Sequence, residues 1–440
     1  MVETSFVVIV LVCVAVVALF FANRRASSDD VSASTRGFAI MIDAGSSGTR
    51  LHVFRHWRNS TTGHIVVVPV HHDSPTLKSA LKVSPGLSDL AAHSDAQIET
   101  YLDKLITFAV QQVPAASQDA TPVYLKGTAG LRLLPHDQRV RVLDTVRSVF
   151  VRKTPFDVRS FVVVAGDDEG SFLWKTVDTL QRRAGINAPQ VGSIDVGGGS
   201  MQIAFPLAKE LYVHSFLKYG VNEARYRSYA ALLRDAGDAA TQISDPCLPK
   251  GAELPLALAL STRATDDGRT EVVEASEAAA AHGARTLVGT GAFDECIALA
   301  KRLLERDVAC AEPPCSMAGV HQPPLPLNTL FFVRDHAVRV VVHFLKLSRT
   351  PSLPEIEAAA RAVCAQTDTE YSNSRLGAHK FYCFEAAWIL ATLRDGFGFP
   401  PTSRQVRFED EIGGISTSWA LGAVAHELET TDYAQEHDDL

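Results

Sequence analysis

Two short segments of the sequence each place an acidic residue before a glycine-rich turn. Asp43 precedes the first turn and Asp195 precedes the second. The turn residues are Gly45, Ser46, Ser47, Gly48 and Thr49 in the first copy, and Gly197, Gly198 and Gly199 in the second. Small side chains allow successive backbone N–H groups and hydroxyls to converge on phosphate oxygens. One such turn is typical of an ordinary hairpin, but two matching copies predict a pair of phosphate-binding loops that face each other across a cleft.

The two aspartates are negatively charged and cannot themselves bind phosphate. We therefore expect Asp43 and Asp195 to hold a divalent cation, Ca²⁺ or Mg²⁺, through water, so that the cation bridges the phosphate oxygens. The chain contains no Gly-Lys-Ser/Thr phosphate loop. The expected chemistry is direct in-line attack of water on phosphorus, without a phosphorylated Asp or a covalent Ser intermediate.

Short apolar runs predict the strands that carry the two turns. Residues 38–42 and 191–194 end at the two aspartates, and alternating apolar residues after each turn predict a second strand. Between the copies, the predicted strands are residues 123–125 and 161–164, and the predicted helices are residues 97–110 and 139–149. This alternation of strands and helices indicates an α/β fold.

The rest of the chain is predicted to be mainly helical. Apolar residues recur at helical spacing in residues 222–236, 290–304, 330–347, 354–363 and 381–393, and the alanine-rich residues 271–283 predict a surface helix. With 440 residues and 46% hydrophobic composition, the chain can bury two ordinary cores. Two lobes are therefore expected.

The charge of the chain argues against a nucleic-acid partner. There are 42 basic and 50 acidic residues, a net charge of -8, and no run of Lys or Arg longer than a pair. Binding to a nucleic-acid backbone depends on clustered positive charge. A small anionic ligand needs only local positive potential, so a nucleotide is compatible with this composition.

The N-terminal residues predict a membrane signal. Residues 6–22 are uncharged and strongly apolar, and residues 26–35 are rich in Ser, Ala and Asp, as in a flexible stalk. The apolar stretch is at the short end for a spanning helix, and no clear small-x-small site follows it, which favours a signal anchor over a cleaved signal. Arg24 and Arg25 follow the stretch, and the positive-inside tendency would keep that flank cytosolic.

Cysteine usage favours the opposite orientation. Six cysteines lie in the second half of the chain, an even number that suits three disulfides in an oxidising lumen. Pairing them in order, a guess from spacing, gives Cys247–Cys296, Cys310–Cys315 and Cys364–Cys383. The alternatives are buried free thiols and, less favoured, a zinc site at Cys310, Cys315 and His321. A glycosylation sequon at Asn59 agrees with a lumenal location.

Five motifs together resemble the apyrase, or nucleoside triphosphate diphosphohydrolase, family. In chain order they are IDAGSSGTR at 42–50, KGTAGLR at 126–132, GDDEG at 166–170, IDVGGGSMQ at 194–202 and SWALGA at 418–423. Further matches at residues 82–88 and 245–251 extend the similarity over nearly all of the chain from Gly37 onward. Their order and spacing make the resemblance specific.

The resemblance implies an α/β fold with two RNase-H-like lobes, of the actin, sugar-kinase and heat-shock ATPase type, and an interlobe cleft. Residues 1–36 are then the signal segment and stalk. Lobe I is expected at residues 37–165, with a C-terminal helix at residues 410–440 that returns to it. Lobe II is expected at residues 166–409 and carries the disulfides.

The resemblance also implies roles for individual residues. Glu169 is expected to be the general base that takes a proton from the attacking water. Thr128, Ser200 and Gln202 are expected to position that water and the terminal phosphate. Without the flanking motifs, Glu169 would be interpreted as a solvated acid in a turn.

The nucleoside end of the substrate is less defined by the sequence. Family precedent implies a pair of aromatic side chains around the base, for which the candidates are Phe332 and Phe397, although each also fits ordinary core packing. Gly48 and the single apolar segment are similar to the lumenal nucleoside diphosphatase branch of the family. The implied substrates are GDP and UDP, with triphosphates left open.

The implied setting is a secretory compartment, Golgi or ER, where the enzyme would clear the nucleotide product of glycosyltransferases. The protein would be a single-pass type II membrane protein, or secreted if the N-terminal segment is cleaved, and a monomer or weak oligomer. Two alternatives are kept: an exopolyphosphatase-like phosphohydrolase, and a non-catalytic actin-like nucleotide-binding module. The second alternative predicts loss of the Glu169 carboxylate, which is present.

Overall fold

The computed structural model describes residues 36–74, 76–186, 188, 190–264, 270–272, 285–373 and 380–438. The N-terminal apolar stretch and its stalk lie outside these residues, as does most of the predicted helix at 271–283. In the part of the chain that is described, no helix is both long and apolar enough to cross a membrane.

The first large sheet is built from the N-terminal third of the chain. Its strands are β1 Gly37–Ala44, β2 Thr49–Arg58, β3 Ile65–Pro69, β4 Ala80–Val83, β5 Pro122–Gly127 and β6 Asp157–Val163. The strand order is β3-β2-β1-β5-β6, and β4 pairs with β2. Strand β1 runs antiparallel to β2 and parallel to β5, so that Ala44 lies opposite Gly127. The carboxyl ends of β1 and β5 therefore meet at one edge of the sheet.

The remaining strands form a second large sheet and smaller pairings. They are β7 Gln190–Val196, β8 Ser200–Leu207, β9 Glu210–Leu217, β10 Gln242–Asp245, β11 Glu253–Pro255, β12 Thr262–Ala264, β13 Thr270–Val272, β14 Thr286–Gly289, β15 Thr329–Asp335, β16 Val406–Phe408, β17 Glu411–Ile412 and β18 Ile415–Ser416. The second large sheet has the order β16-β15-β7-β8-β9. Like β1, strand β7 pairs antiparallel with the strand after its turn and parallel with its other neighbour.

Helices cover the two sheets and pack between them. The described α-helices are α1 Val70–Asp73, α2 Asp95–Gln112, α3 Ala129–Arg132, α4 His136–Lys153, α5 Gly166–Arg183, α6 Val221–Ala236, α7 Leu256–Ser261, α8 Phe293–Leu303, α9 His336–Val338, α10 Leu353–Cys364, α11 Asp368–Ser372, α12 Tyr382–Ala391 and α13 Trp419–Asp438. The predicted helices at 97–110, 139–149, 222–236, 290–304, 354–363 and 381–393 are confirmed.

The predicted helix at 330–347 is wrong in its first part. Residues Thr329–Asp335 form β15, a strand buried between β7 and β16, and helical backbone begins only at His336. A parallel strand that is covered on both faces shows a continuous apolar run without alternation. Such a run cannot be told from a buried helix by periodicity alone. Because helical turns follow directly after it, the predicted helix included these strand residues.

Three disulfides hold the second half of the chain. The predicted pairs Cys247–Cys296, Cys310–Cys315 and Cys364–Cys383 are confirmed. Cys296 lies in α8, Cys364 in α10 and Cys383 in α12. Two of the bridges therefore fix the helices that cover the second sheet.

Helix α5 lies between the two sheets and carries Glu169 in its first turn. That turn also contains Asp167 and Asp168, and negative side chains are favoured at the positive end of a helix dipole. The apolar face of α5 packs with α13 and with side chains from both sheets, among them Met41 and Phe332. Glu169 is therefore carried by an element that contacts both halves of the molecule.

Helices α5 and α13 are in close contact at Gly422. A Cβ atom at this position would lie 2.1 Å from the backbone oxygen of Phe172, so only glycine permits the contact. The amide of Gly422 donates a hydrogen bond to the hydroxyl of Thr176 at 2.9 Å. The C-terminal helix thereby fixes the position of α5.

Candidate active site

The two glycine-rich turns have matching backbone geometry. The amide of Gly45 donates to the carbonyl of Gly48 at 3.1 Å, and the amide of Gly197 donates to the carbonyl of Ser200 at 3.1 Å. In both copies the donor lies two residues after the aspartate that ends the strand. The internal duplication seen in the sequence is therefore also a duplication of local structure.

The two turns face each other across one cleft. Its wall includes Asp43, Gly45, Ser46, Ser47, Arg50, Thr128, Ala129, Glu169, Asp195, Gly197, Gly198, Gly199, Ser200, Gln202, Arg334, Asp335 and Trp419, around an empty volume of about 410 Å³ that is open to solvent. A Cβ atom on Gly198 would lie 2.9 Å from the Oγ of Ser46 in the opposite turn. The turns approach this closely because the second one has no side chain at Gly198.

Asp43 and Asp195 line this cleft and are buried, with 5% and 4% of their surface exposed. Asp43 lies 3.4 Å from a guanidinium nitrogen of Arg50, and Asp195 lies 3.1 Å from one of Arg334. Burial raises the pKa of Asp43 to about 6, although Arg50 and Arg334 lower it. Burial also raises the pKa of Asp195. Any additional positive charge that enters the cleft therefore stabilises the ionised form of each carboxylate.

Glu169 is also buried, with 7% of its surface exposed. One terminal nitrogen of Arg132 donates to its carboxylate at 2.9 Å, and the side-chain amide of Gln202 lies 3.4 Å from the same oxygen. Burial raises the pKa of Glu169 to about 7; Arg132 opposes this shift, and the charge of Asp195 adds to it. A carboxylate with this pKa can accept a proton near neutral pH.

A chain of hydrogen bonds links Glu169 to the second turn. The Arg132 nitrogen that contacts Glu169 also donates to the Ser200 hydroxyl at 3.0 Å. The amide of Gln202 donates to the hydroxyls of Ser200 and Ser215 at 2.8 and 2.9 Å. These contacts hold the Ser200 hydroxyl beside the carboxylate in one arrangement, facing the cleft.

Thr128 reaches the cleft from the first sheet. It follows β5, and its amide donates to the carbonyl of Ala44 at 3.1 Å. This bond places Thr128 directly beside the end of β1, where Asp43 lies. The structure thus gathers all four predicted catalytic residues and both aspartates around one space.

Two predicted phosphate-loop residues lie behind the loop and not in the described cleft wall. The hydroxyl of Thr49 is buried and accepts a hydrogen bond from Tyr101 at 2.9 Å. A Cβ atom on Gly48 would meet Lys82 and Val83. Gly48 and Thr49 therefore shape the loop from the back, while Gly45, Ser46 and Ser47 face the cleft.

The two phenylalanines predicted to bind the base do not fit that role. Phe332 is 1% exposed and packs in the core between the sheets, and Phe397 is 2% exposed and packs in the core of the second sheet. The prediction rested on family precedent for aromatic side chains, and the sequence did not show which aromatic side chains face the cleft. Core packing, the alternative stated for each, is what the structure shows.

Sequence reasoning missed five residues of the cleft wall and also Arg132, which contacts Glu169. Four of these six, Arg50, Ala129, Arg132 and Trp419, lie inside the motifs quoted above, so their position next to the predicted residues was a usable signal. Arg334 and Asp335 lie in the segment that was predicted to be helical. Only the pairing of β15 with β7 brings them beside Asp195.

Two matching glycine-rich turns, each next to an aspartate near the end of a strand in its own large sheet, line one cleft of this α/β protein. The sequence model of the GDA1/CD39 (nucleoside phosphatase) family matches residues 30–211 and 208–437. This chain belongs to the GDA1/CD39 family.

Individual relatives agree with this assignment. Guanosine-diphosphatase of Saccharomyces cerevisiae is 28% identical over 440 residues, which cover 88% of this chain and 79% of that protein. Ectonucleoside triphosphate diphosphohydrolase 5 of Ailuropoda melanoleuca is 30% identical over 432 residues, 91% of this chain and 89% of that protein. Among solved structures, nucleoside triphosphate hydrolases from Neospora caninum share the fold, with a TM-score of 0.62 and 16% identity over 90% of this chain and 93% of that chain.

Proposed function

We propose that this protein hydrolyses the terminal phosphate of nucleoside diphosphates, with GDP and UDP as its main substrates. The relatives named above include a guanosine-diphosphatase, and the chain matches them over most of its length. The observation that carries the proposal is the buried carboxylate of Glu169 in the wall of a cleft formed by two phosphate loops. This arrangement combines a proton acceptor with donors for a polyanion.

The carboxylates of Asp43 and Asp195 suit a divalent cation. Ca²⁺ and Mg²⁺ prefer oxygen ligands, and each of these two buried carboxylates is already paired with an arginine. Within the described residues, no cluster of three or more His, Cys, Asp or Glu side chains forms a ready ligand set. The pair therefore fits a cation held mainly through water. When bound, such a cation supplies charge stabilisation to the phosphate oxygens.

Phosphate binding and proton transfer are assigned to residues of the cleft. The backbone amides of the two turns and the hydroxyls of Ser46 and Ser47 bind the terminal phosphate. Glu169 accepts the proton of the attacking water, because its pKa of about 7 lets it act as a base near neutral pH and its side chain lies in the cleft wall. Arg132 keeps that carboxylate in place through its bond to it. Thr128 completes the wall on the side of the first sheet.

Ser200 and Gln202 position the water. The Ser200 hydroxyl receives hydrogen bonds from both Arg132 and Gln202, so its own proton is free to point towards a neighbouring acceptor and its oxygen is fixed. Holding the water between Ser200 and Glu169 removes most of the orientational freedom that a reaction in solution must lose. Catalysis then depends on positioning and charge, without a covalent intermediate.

A nucleotide panel tests the proposal. Phosphate release from GDP, UDP, ADP, GTP, ATP and inorganic polyphosphate should be measured with Ca²⁺, with Mg²⁺ and with EDTA. We expect turnover of diphosphates that EDTA abolishes. Faster release from polyphosphate than from any nucleotide would favour an exopolyphosphatase, and binding without turnover of any substrate would favour a non-catalytic module.

Two variants sharpen this panel. Glu169→Gln keeps the shape of the side chain and removes its basicity, and it should lower turnover by about 10²- to 10⁴-fold. Asp168→Asn is the matched control, because Asp168 is exposed and precedes Glu169 in the same turn. The control should stay within about twofold of the wild type, as surface substitutions usually do.

The cellular setting follows from the cysteines. Three disulfides support a folded protein that matures in an oxidising compartment, and we place it in the lumen of the Golgi or ER. The apolar N-terminal residues 6–22 would anchor it there as a type II membrane protein, an orientation that the cysteines favour and that Arg24 and Arg25 oppose. A protease-protection experiment on sealed microsomes tests the orientation, and digestion without detergent would refute it.

A further inference from the structure

Arg334 reaches the cleft from the second sheet. It lies near the end of β15, opposite Asp195 in the parallel register with β7, and its side chain is part of the cleft wall. One terminal guanidinium nitrogen donates to both carboxylate oxygens of Asp195, at 3.2 and 3.1 Å. The arginine is therefore in direct contact with a residue that we assign to cation binding.

The fold does not use all the donors of this arginine. The Nε atom of Arg334 is buried and has no hydrogen-bond partner. A buried donor that stays unsatisfied costs free energy, more so on a charged group. A guanidinium presents its donors in a planar fork that matches the oxygens of a phosphate group. Arg334 thus has unused capacity for an anionic ligand at the place where the substrate binds.

The backbone at this strand end adopts an uncommon conformation. Asp335 has φ of 62° and ψ of -127°, a region that residues with a side chain rarely occupy. Its amide donates to a carboxylate oxygen of Asp410 at 2.9 Å, which holds the bend. Strained backbone of this kind persists where the surrounding structure enforces it, and it concentrates at binding sites. The strand end is therefore built to present Arg334 and Asp335 to the cleft.

The charges in the cleft predict that Arg334 changes partner. A divalent cation near Asp195 would repel the guanidinium that now neutralises this carboxylate. A nucleotide that enters with the cation adds negative charge in the same space. The arginine would then lose one anionic partner and gain another a few ångströms away.

We propose that Arg334 is a nucleotide-binding residue that pairs with Asp195 before a divalent cation binds and donates to the substrate's phosphate groups afterwards. The proposal rests on the proposed function, because it needs both a cation and a nucleotide in this cleft. Arg334 and the cation compete for Asp195, so removing the arginine strengthens cation binding. Arg334 and the nucleotide attract each other, so the same change weakens nucleotide binding.

Three variants of the full-length protein test these two effects. Arg334→Met removes the charge and keeps much of the side-chain volume, and Arg334→Lys keeps the charge without the fork. The control is Arg407→Met on the adjacent strand β16, where Arg407 pairs with Glu409. Calorimetry with Ca²⁺ alone gives the cation affinity, and calorimetry with GDP at saturating Ca²⁺ gives the nucleotide affinity. Initial rates with GDP add KM and kcat.

Opposite changes in the two affinities are expected for Arg334→Met. Ca²⁺ should bind about tenfold more tightly and GDP about tenfold more weakly, a range typical of coupled binding. Arg334→Lys should keep Ca²⁺ affinity within about threefold of the wild type and bind GDP with intermediate affinity. Arg407→Met should leave both affinities within about twofold, as expected away from the cleft.

An unchanged affinity for either ligand in Arg334→Met overturns the proposal. If that variant does not fold, as judged by its melting temperature, Arg334→Lys decides, and wild-type GDP affinity in it is the overturning result. Failure of the proposed function is a separate outcome. A wild-type protein that binds GDP and Ca²⁺ but turns over no nucleotide would refute the hydrolase assignment, and the two affinities would still report on Arg334.

Discussion

The protonation of Glu169 should set the acid side of the pH–rate profile. Burial raises the pKa of this carboxylate to about 7, and the ordinary value is 4.5. The base works only when it is ionised, so activity falls as the pH falls through this pKa. A bound cation adds positive charge and lowers the pKa, so the midpoint should lie above 4.5 and no higher than about 7.

The size of the effect follows from the ionised fraction. For a pKa of about 7, roughly one tenth of the protein is active at pH 6 and roughly one hundredth at pH 5. The assay is phosphate release from GDP between pH 5 and 8.5, analysed as kcat/KM. Asp43 titrates in the same range, with a pKa of about 6, but its protonation weakens cation binding. Repeating the profile at tenfold higher Ca²⁺ suppresses that contribution and leaves the one from Glu169.

The variant Glu169→Gln tests whether Glu169 is the group that titrates. We expect its residual activity to show no acid limb in this range, since the titrating group is gone. A variant that keeps the same limb, or more than about one tenth of the wild-type rate, would show that another group takes the proton. The catalytic assignment would then be wrong even if the cleft binds the substrate.

Three further predictions concern stability. Because the folded pKa of Glu169 is above its unfolded value, this group alone should destabilise the metal-free protein by up to about 3 kcal/mol as pH rises from 4.5 to about 7. Glu169→Gln should remove that part of the slope in urea titrations and leave the part that comes from Asp43. Gly422→Ala forces a Cβ atom against Phe172 and should cost about 3 kcal/mol, seen as a lower melting temperature. Replacing Cys247 and Cys296 by Ala opens a bridge that spans 49 residues and should cost about 4 kcal/mol in denaturant unfolding.

Each of these has a clear contradicting result. If comparison with Glu169→Gln shows that Glu169 stabilises the metal-free protein more at pH 7 than at pH 5, the pKa of this group is lowered by folding and the reasoning is wrong. If Gly422→Ala has the stability of the wild type, α5 and α13 can move apart to accept the methyl group without loss of unfolding free energy. Unchanged unfolding of the double cysteine variant, with the other four cysteines still paired, would show that the bridge constrains nothing.

The side of the cleft that contains Asp43, Asp195 and Glu169 was predictable because its signals are local. Each aspartate ends a strand, each turn follows directly, and the backbone of a tight turn depends mainly on its own residues. Glu169, Ser200 and Gln202 lie within a few residues of such strand ends. For these three residues the motif indicated roughly where the side chain lies, but for Gly48 and Thr49 in the first motif it did not.

The part of the cleft formed by β15 was not predictable in the same way. Which side chains of β15 face inwards depends on its pairing with β7 and β16 and on the packing of α5 and α13. Those contacts join segments that are far apart in the chain. Phe332 is buried by residues from both sheets, and Arg334 meets Asp195 only through that pairing. The sequence of residues 329–335 does not indicate which distant segments these residues contact.

The placement of Glu169 on a helix wedged between two sheets has a consequence for the order of events during turnover. If the two halves separate to admit a nucleotide, α5 cannot keep its contacts with both, and the Glu169 carboxylate moves relative to at least one glycine-rich turn. With Glu169 as the proposed proton acceptor, water activation is then coupled to closure, so an open molecule binds its substrate but does not cleave it. Such an enzyme would hydrolyse only nucleotides that bind tightly enough to bring the two halves together.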